Sequence, residues 1–210
     1  MNDNDYIDEA GEAADMNNLA EDYDTHENDN TSKRNGLIKE LILYAIIFVL
    51  FVFIIPRYVV QLTVVDGRSM TNTLQNNDRL FVEKVSYRFG DPERFDIIVF
   101  YPEGRDSDEY YVKRVIGLPG ETVQIIDSII YINGEPLEDN YRKEFYISYN
   151  GIAGEPVTLG DDQFFVMGDN RNGSTDSRDP RVGLVERENI DGRVVLRVYP
   201  FDKIGFMTDK

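Results

Sequence analysis

Residues 109–136 read EYYVKRVIGLPGETVQIIDSIIYINGEP, and their pattern decides the fold class. Short β-branched and aromatic runs are broken by Leu118-Pro119-Gly120 and closed by Asn133-Gly134. Such runs bounded by turn residues are strand signals, and Asn-Gly between apolar segments is a tight hairpin turn. The same grammar recurs in YVVQLTVV (58–65), RLFVEKVSYRF (79–89), FDIIVFYP (95–102), FFVMGD (164–169) and GRVVLRVYP (192–200), with GDPE (90–93) and EGRDSD (103–108) as breaks. No amphipathic helix longer than three turns is evident. The expectation over 59–210 is a mostly β, antiparallel domain, barrel-like or sandwich-like, without internal repeats.

The chain has 210 residues and a net charge of −17, unevenly spread. Residues 1–32 hold eleven acids and no Lys or Arg, which leaves 28 acids against 22 bases in the rest. Acidity is thus mostly a property of the tail. Without apolar periodicity, residues 1–36 are expected to be a disordered cytoplasmic tail. Nothing matches the basic footprint of a nucleic-acid binder, so no nucleic-acid partner is expected.

LIKELILYAIIFVLFVFIIPRYVV contains an uninterrupted apolar run, Leu41 to Ile55, that reaches toward bilayer-spanning length when extended back to Leu37. A cleaved signal peptide fits poorly, since some 36 residues precede the run and PRYVVQ offers no small-x-small site. A buried core helix would show an amphipathic face, which this run lacks. Residues 37–58 therefore read as one transmembrane anchor. Lys33, Arg34 and Lys39 precede its uninterrupted apolar run, Leu41 to Ile55, and Arg57 and Arg68 follow that run, so the positive-inside rule puts the N-terminus in the cytoplasm.

There is no cysteine, and the only histidine is His26. Thiolate chemistry, His-based triads and HExxH zinc sites are excluded, and neither a cofactor nor a metal is expected. A calcium loop is disfavoured, because the carboxylates near 169–178 lack the 1-3-5 spacing. If Ser69 in VDGRSMTNTL (65–74) is a nucleophile, a lysine must take its proton. An ordinary lysine is protonated at neutral pH, but burial disfavours the ammonium form. Lys113 in YYVKRVIGLPG fits: alternation puts Tyr111, Lys113 and Val115 on one face, Val112 and Arg114 on the other. Taken singly, Ser69 also reads as a turn serine and Lys113 as a strand-edge surface lysine.

Their order decides otherwise. GRSMTNTL, FDIIVF, YYVKRVIGLPGE, YINGEPLEDNY and FFVMGDNRNGSTDSRDPRVGLV resemble the ordered motifs of bacterial type I signal peptidases, over about Val64 to Pro200. The short length is similar to Gram-positive forms. The resemblance implies a membrane-anchored serine endopeptidase that removes signal peptides from secreted preproteins after small-x-small sites. Ser69 would be the nucleophile, Lys113 the general base and Ser174 the residue that orients the lysine. Asp176 with Arg178 would support the site, and Asp169 with Arg171 would fix the loop. Val65, Met70 and Val112 would bound pockets for small substrate residues, beside strand edges at Val64–Asp66 and Tyr110–Val112. Partners would be preproteins, the lipid bilayer and a nearby secretion translocase.

Three positions depart from the family pattern. Gly67 lacks a hydroxyl that some members add, Asn72 replaces a proline, and Gly173 replaces an asparagine. A missing proline predicts a looser turn after Ser69. Two rivals remain: a self-cleaving Ser–Lys regulator, which would carry a DNA-binding domain, and a non-catalytic assembly factor for surface structures, which would lack Ser or Lys.

Overall fold

The computed structural model describes residues 35–207. Of the expected disordered tail, 1–36, residues 1–34 lie outside the described residues, while Asn35 and Gly36 instead begin the apolar helix. The chain divides into two compact units, Met1–Ile54 and Ile55–Lys210.

In the first unit the described residues form one helix, α1 (Asn35–Ile54), long and apolar enough to cross a membrane, with no side chain buried against protein. Its last turn, Leu50–Ile54, is wound as a π-helix. A proline lacks the N–H for the helical ladder and crowds the preceding turn, so a widened turn ahead of Pro56 is the expected accommodation. A helical turn, α2 (Ile55–Tyr58), follows.

The second unit is two antiparallel sheets. The larger follows the order β1 (Val60–Val64), β2 (Arg79–Glu83), β11 (Ile190–Tyr199), β3 (Ile97–Phe100), β4 (Tyr111–Gly117), β9 (Gln163–Met167), β10 (Val185–Glu186), with β12 (Gly205–Phe206) added to β11. The smaller is β7 (Glu135–Pro136), β6 (Ile129–Ile132), β5 (Thr122–Ile126), β8 (Val157–Thr158). The larger sheet stays open at β1 and β10 and does not close into a barrel.

Side-chain alternation explains these strands. In β5 and β6 the register pairs Val123 with Ile132 and Ile125 with Ile130, all buried, while Thr122 and Gln124 point toward water. Such facing β-branched pairs hold an antiparallel pair together. β3 and residues Phe164–Met167 of β9 are buried on both faces, the signature of central strands. Asn133 and Gly134 both have positive φ, 53° and 85°, as the predicted two-residue hairpin requires. FFVMGD contributes core: Phe164, Phe165, Val166 and Met167 are fully buried.

β4 matters most. β3 pairs with it along residues 111–114, but β9 joins its other edge only from Arg114 onward. A bulge between Val115 and Gly117 bends the strand there. Residues 111–113 consequently keep an unpaired edge. At the bulge a side chain would collide: a Cβ on Gly117 would lie 2.6 Å from Val123 Cγ2 and 3.0 Å from Phe165 Cβ. Gly117→Ala should therefore lower stability by about 1–3 kcal/mol, read as a drop in the thermal midpoint of the purified chain in detergent.

Candidate active site

Ser69 opens a tight turn that follows β1, where Thr71 N–H and Thr73 N–H donate to the carbonyls of Arg68 and Met70. Lys113 sits mid-strand in β4, opposite Ile98 of β3. Lys113 Nζ lies 3.0 Å from Ser69 Oγ and donates to the Val112 carbonyl at 3.1 Å. The lysine is 5% exposed, and its amine stands 4.9 Å from the Tyr111 ring, on the face that alternation assigned.

Burial lowers the Lys113 pKa from 10.5 to about 8, against the opposing pull of the Asp176 carboxylate. That pull is the smaller of the two, and Asp176 also serves other donors. Its Oδ1 accepts from Arg178 Nε at 2.8 Å, and its Oδ2 from Arg178 Nη2 at 2.8 Å and the Gly168 N–H at 3.0 Å. A carboxylate held by a guanidinium retains little net field for a neighbouring amine. The expected Asp176–Arg178 pair is thus formed.

Asp169 and Arg171 instead pair with residues the sequence reading did not single out. Arg114 forks onto Asp169, Nε to Oδ1 at 2.9 Å and Nη2 to Oδ2 at 2.8 Å, while Thr73 Oγ1 also donates to Oδ2. This ties the turn after Ser69, strand β4 and the 168–178 loop to one buried ion pair. Arg171 donates from Nε to the Gly168 carbonyl at 2.9 Å and pairs with Asp139 at 2.6 Å. Arg114 directly follows Lys113 in KRVIGLPG, and Asp139 lies in YINGEPLEDNY. Adjacency to the lysine was the available signal for Arg114.

Ser174 does not make the expected contact with Lys113. Its Oγ is buried and has no hydrogen bond among the described residues. It packs over Gly168: a Cβ built there would lie 2.3 Å from Ser174 Oγ and 2.4 Å from the Ser69 carbonyl oxygen. Gly168 thus lets the nucleophile turn and the Ser174 loop approach from two sides, a role that only a missing side chain permits. Asn170 completes the seam, its N–H donating to the Ser69 carbonyl at 3.0 Å and its Nδ2 to the Arg68 carbonyl at 3.1 Å. Gly173 makes room for it, since a Cβ at 173 would meet Asn170 Nδ2 at 2.6 Å. The departure at 173 therefore has a steric account.

A cleft of about 480 Å³ runs over Ser69 and Lys113, and Val65, Met70 and Val112 all line it. Those three are nearly buried and share one apolar cluster. The Ser69 N–H has no hydrogen-bond partner among the described residues. Among those residues no three acidic or histidine side chains converge as metal ligands would. The arrangement can activate a hydroxyl with a neutral amine and hold an extended chain along the free edge of β4.

Comparison with known proteins gives a concordant result. Residues 38–199 match the family model described as signal peptidase, peptidase S26. A signal peptidase I of Leptolyngbya laminosa is 44% identical over 157 residues, 72% of this chain and 74% of its own. The signal peptidase I of Bacillus licheniformis is 36% identical over 184 residues, covering 85% and 97% of the two chains. A crystal structure of a signal peptidase I from Enterococcus faecalis V583 is 34% identical, with a TM-score of 0.40 over 50% of this chain and 97% of that one.

Asn72 has φ of +108°, which proline, fixed near −65°, cannot adopt. A proline at 72 would therefore not tighten this turn. Asn72→Pro should cost more than about 1 kcal/mol of stability, whereas Asn72→Gly should hold or raise it. Thermal midpoints of the two variants check this.

Proposed function

The chain belongs to the S26 signal peptidase family, and from that premise we propose that it cleaves signal peptides from secreted preproteins with Ser69 as nucleophile and Lys113 as general base. The observation that carries this reading is the 3.0 Å approach of a buried amine, with its pKa lowered to about 8, to a serine hydroxyl.

Neutral Lys113 takes the proton of Ser69 as Oγ attacks the scissile carbonyl. The unpartnered Ser69 N–H receives the developing oxyanion. The Lys113 ammonium then protonates the departing amine, leaving an ester on Ser69. A water deprotonated by Lys113 hydrolyses that ester, and both groups return to their starting states. Ser174 is assigned the lysine-orienting role without a direct contact in this structure; its buried hydroxyl makes no other hydrogen bond among the described residues and is available to accept an amine proton. The paired Asp169, Arg171, Asp176 and Arg178 brace the loop that carries it.

The substrate binds extended, as an added strand on the free edge at residues 111–113. Val65, Met70 and Val112 close the cleft around its side chains, which favours small residues at the first and third positions before the cut. The apolar helix makes this a membrane-anchored peptidase. With the N-terminus in the cytoplasm, the site would stand outside, close to where a signal peptide leaves the bilayer beside the translocase. The assembly-factor alternative is not favoured, since both reacting groups are present and adjacent.

The test is cleavage of a preprotein with a small-x-small site in detergent micelles. Ser69→Ala and Lys113→Met should each lose roughly 10²–10⁴-fold or more of wild-type activity while staying folded. Only the neutral amine accepts a proton, so wild-type kcat/KM should climb as pH rises through about 8 and level off above it. Full activity of folded Lys113→Met, or inert wild type, would contradict the reading.

A further inference from the structure

A second cavity, of about 390 Å³, lies outside the proposed active site. Its walls carry Arg57, Lys84, Arg88, Arg105 and Arg187 against a single carboxylate, Asp191. In a chain of net charge −17, five cations facing one space are a concentrated exception. The internal partners leave much of that charge uncompensated. Lys84 takes Asp191 at 2.8 Å, and Arg105 reaches the same carboxylate only at 3.5 Å. Arg187 pairs with Asp91, which does not line the cavity, at 3.1 Å. Arg57 and Arg88 have no carboxylate partner among the described residues; the Arg88 guanidinium lies 5.2 Å above the Tyr58 ring.

Position narrows the ligand. Arg57 and Tyr58 come three and four residues after Ile54, the last residue of the apolar helix. At about 1.5 Å per helical residue they stand within ~6 Å of where the chain leaves hydrocarbon, the depth of lipid headgroups. Tyr58 is exposed, as interfacial aromatics are. Tyr101 adds a hydroxyl to the wall, and burial raises its pKa, so it stays protonated as a donor.

We propose that this cavity binds the phosphodiester headgroup of an anionic phospholipid, with Arg57 and Arg88 as its unsatisfied phosphate ligands. Guanidinium groups suit a phosphate oxygen pair better than ammonium groups do. The proposal rests on the membrane-anchored reading, and would fasten the peptidase domain to the surface at a second point besides the helix.

The test uses the full chain in detergent, with phosphatidylglycerol or phosphatidylcholine titrated in and retained lipid counted by native mass spectrometry. Wild type should retain one phosphatidylglycerol in clear preference to phosphatidylcholine. Arg57→Gln and Arg88→Gln should weaken that retention roughly fivefold each, and about 30-fold together. Arg79→Gln, outside the cavity, should leave it unchanged. Equal retention of the two lipids, or undiminished retention by the double variant, overturns the proposal. Displacement of the lipid by an equal concentration of inorganic phosphate overturns the lipid assignment in favour of a free anion. Flotation of the same protein with phosphatidylcholine vesicles reports the anchor separately: failure to float sinks the anchored reading, whereas flotation without lipid preference sinks only the headgroup site.

Discussion

The site depends on keeping one lysine amine out of water. Lys113 is held mid-strand by β3, with Tyr111 beside it and the Ser69 turn over it, and that enclosure makes the amine a usable base. The enclosure is unfavourable for folding. The folded-state pKa, about 8, lies below the ordinary 10.5, so the unfolded chain binds this proton more tightly. The cost is full below pH 8 and is relieved as pH rises toward 10.5, amounting to ~3 kcal/mol at neutral pH. A peptidase of this design is less stable at neutrality because burial that readies the amine as a base also penalises its ammonium form.

Three buried ion pairs frame that lysine. Arg114–Asp169 ties β4 and Arg171–Asp139 ties the segment after β7 to the 168–178 loop, while Arg178–Asp176 lies within that loop. Breaking any one by removing a single partner leaves a buried charge uncompensated, at about 3–5 kcal/mol. Two of the pairs also have a local purpose: Arg114 shares Asp169 with Thr73 of the nucleophile turn, and Arg178 forks onto Asp176, the carboxylate whose pull opposes burial at Lys113. The loop meets the turn at Gly168 and Asn170, which grip the Ser69 backbone.

Local signals in the sequence carried the strands, because alternating burial and turn residues act within a few positions. The Asn133-Gly134 hairpin was legible for that reason. The hairpin at Asp127-Ser128, where Ile126 pairs with Ile129, was not: Asp-Ser inside TVQIIDSIIYING is a weak turn signal, yet both residues adopt positive φ. Two-residue strands such as β8, β10 and β12 are too short to show a period. Within the site, Ser69 and Lys113 were found through motif order, and the structure sets them in contact. Arg114–Asp169 spans 55 residues, so its pairing left no trace in the sequence beyond the place of Arg114 next to Lys113. Asn72 is the instructive case: the sequence marked a position where the family resemblance implies proline, while only the backbone shows that proline does not fit this turn.

The central claim is that burial beside Ser69 lowers the Lys113 pKa far enough for a usable fraction of the amine to be neutral near physiological pH. It is tested most directly by NMR titration of the lysine side-chain amines in the full-length chain, with the Lys113 resonance assigned by its loss in Lys113→Met. A midpoint near 8 is the predicted result. A midpoint near the ordinary 10.5 would mean that the amine is solvated and protonated at neutral pH, and the Ser69–Lys113 mechanism would have no base.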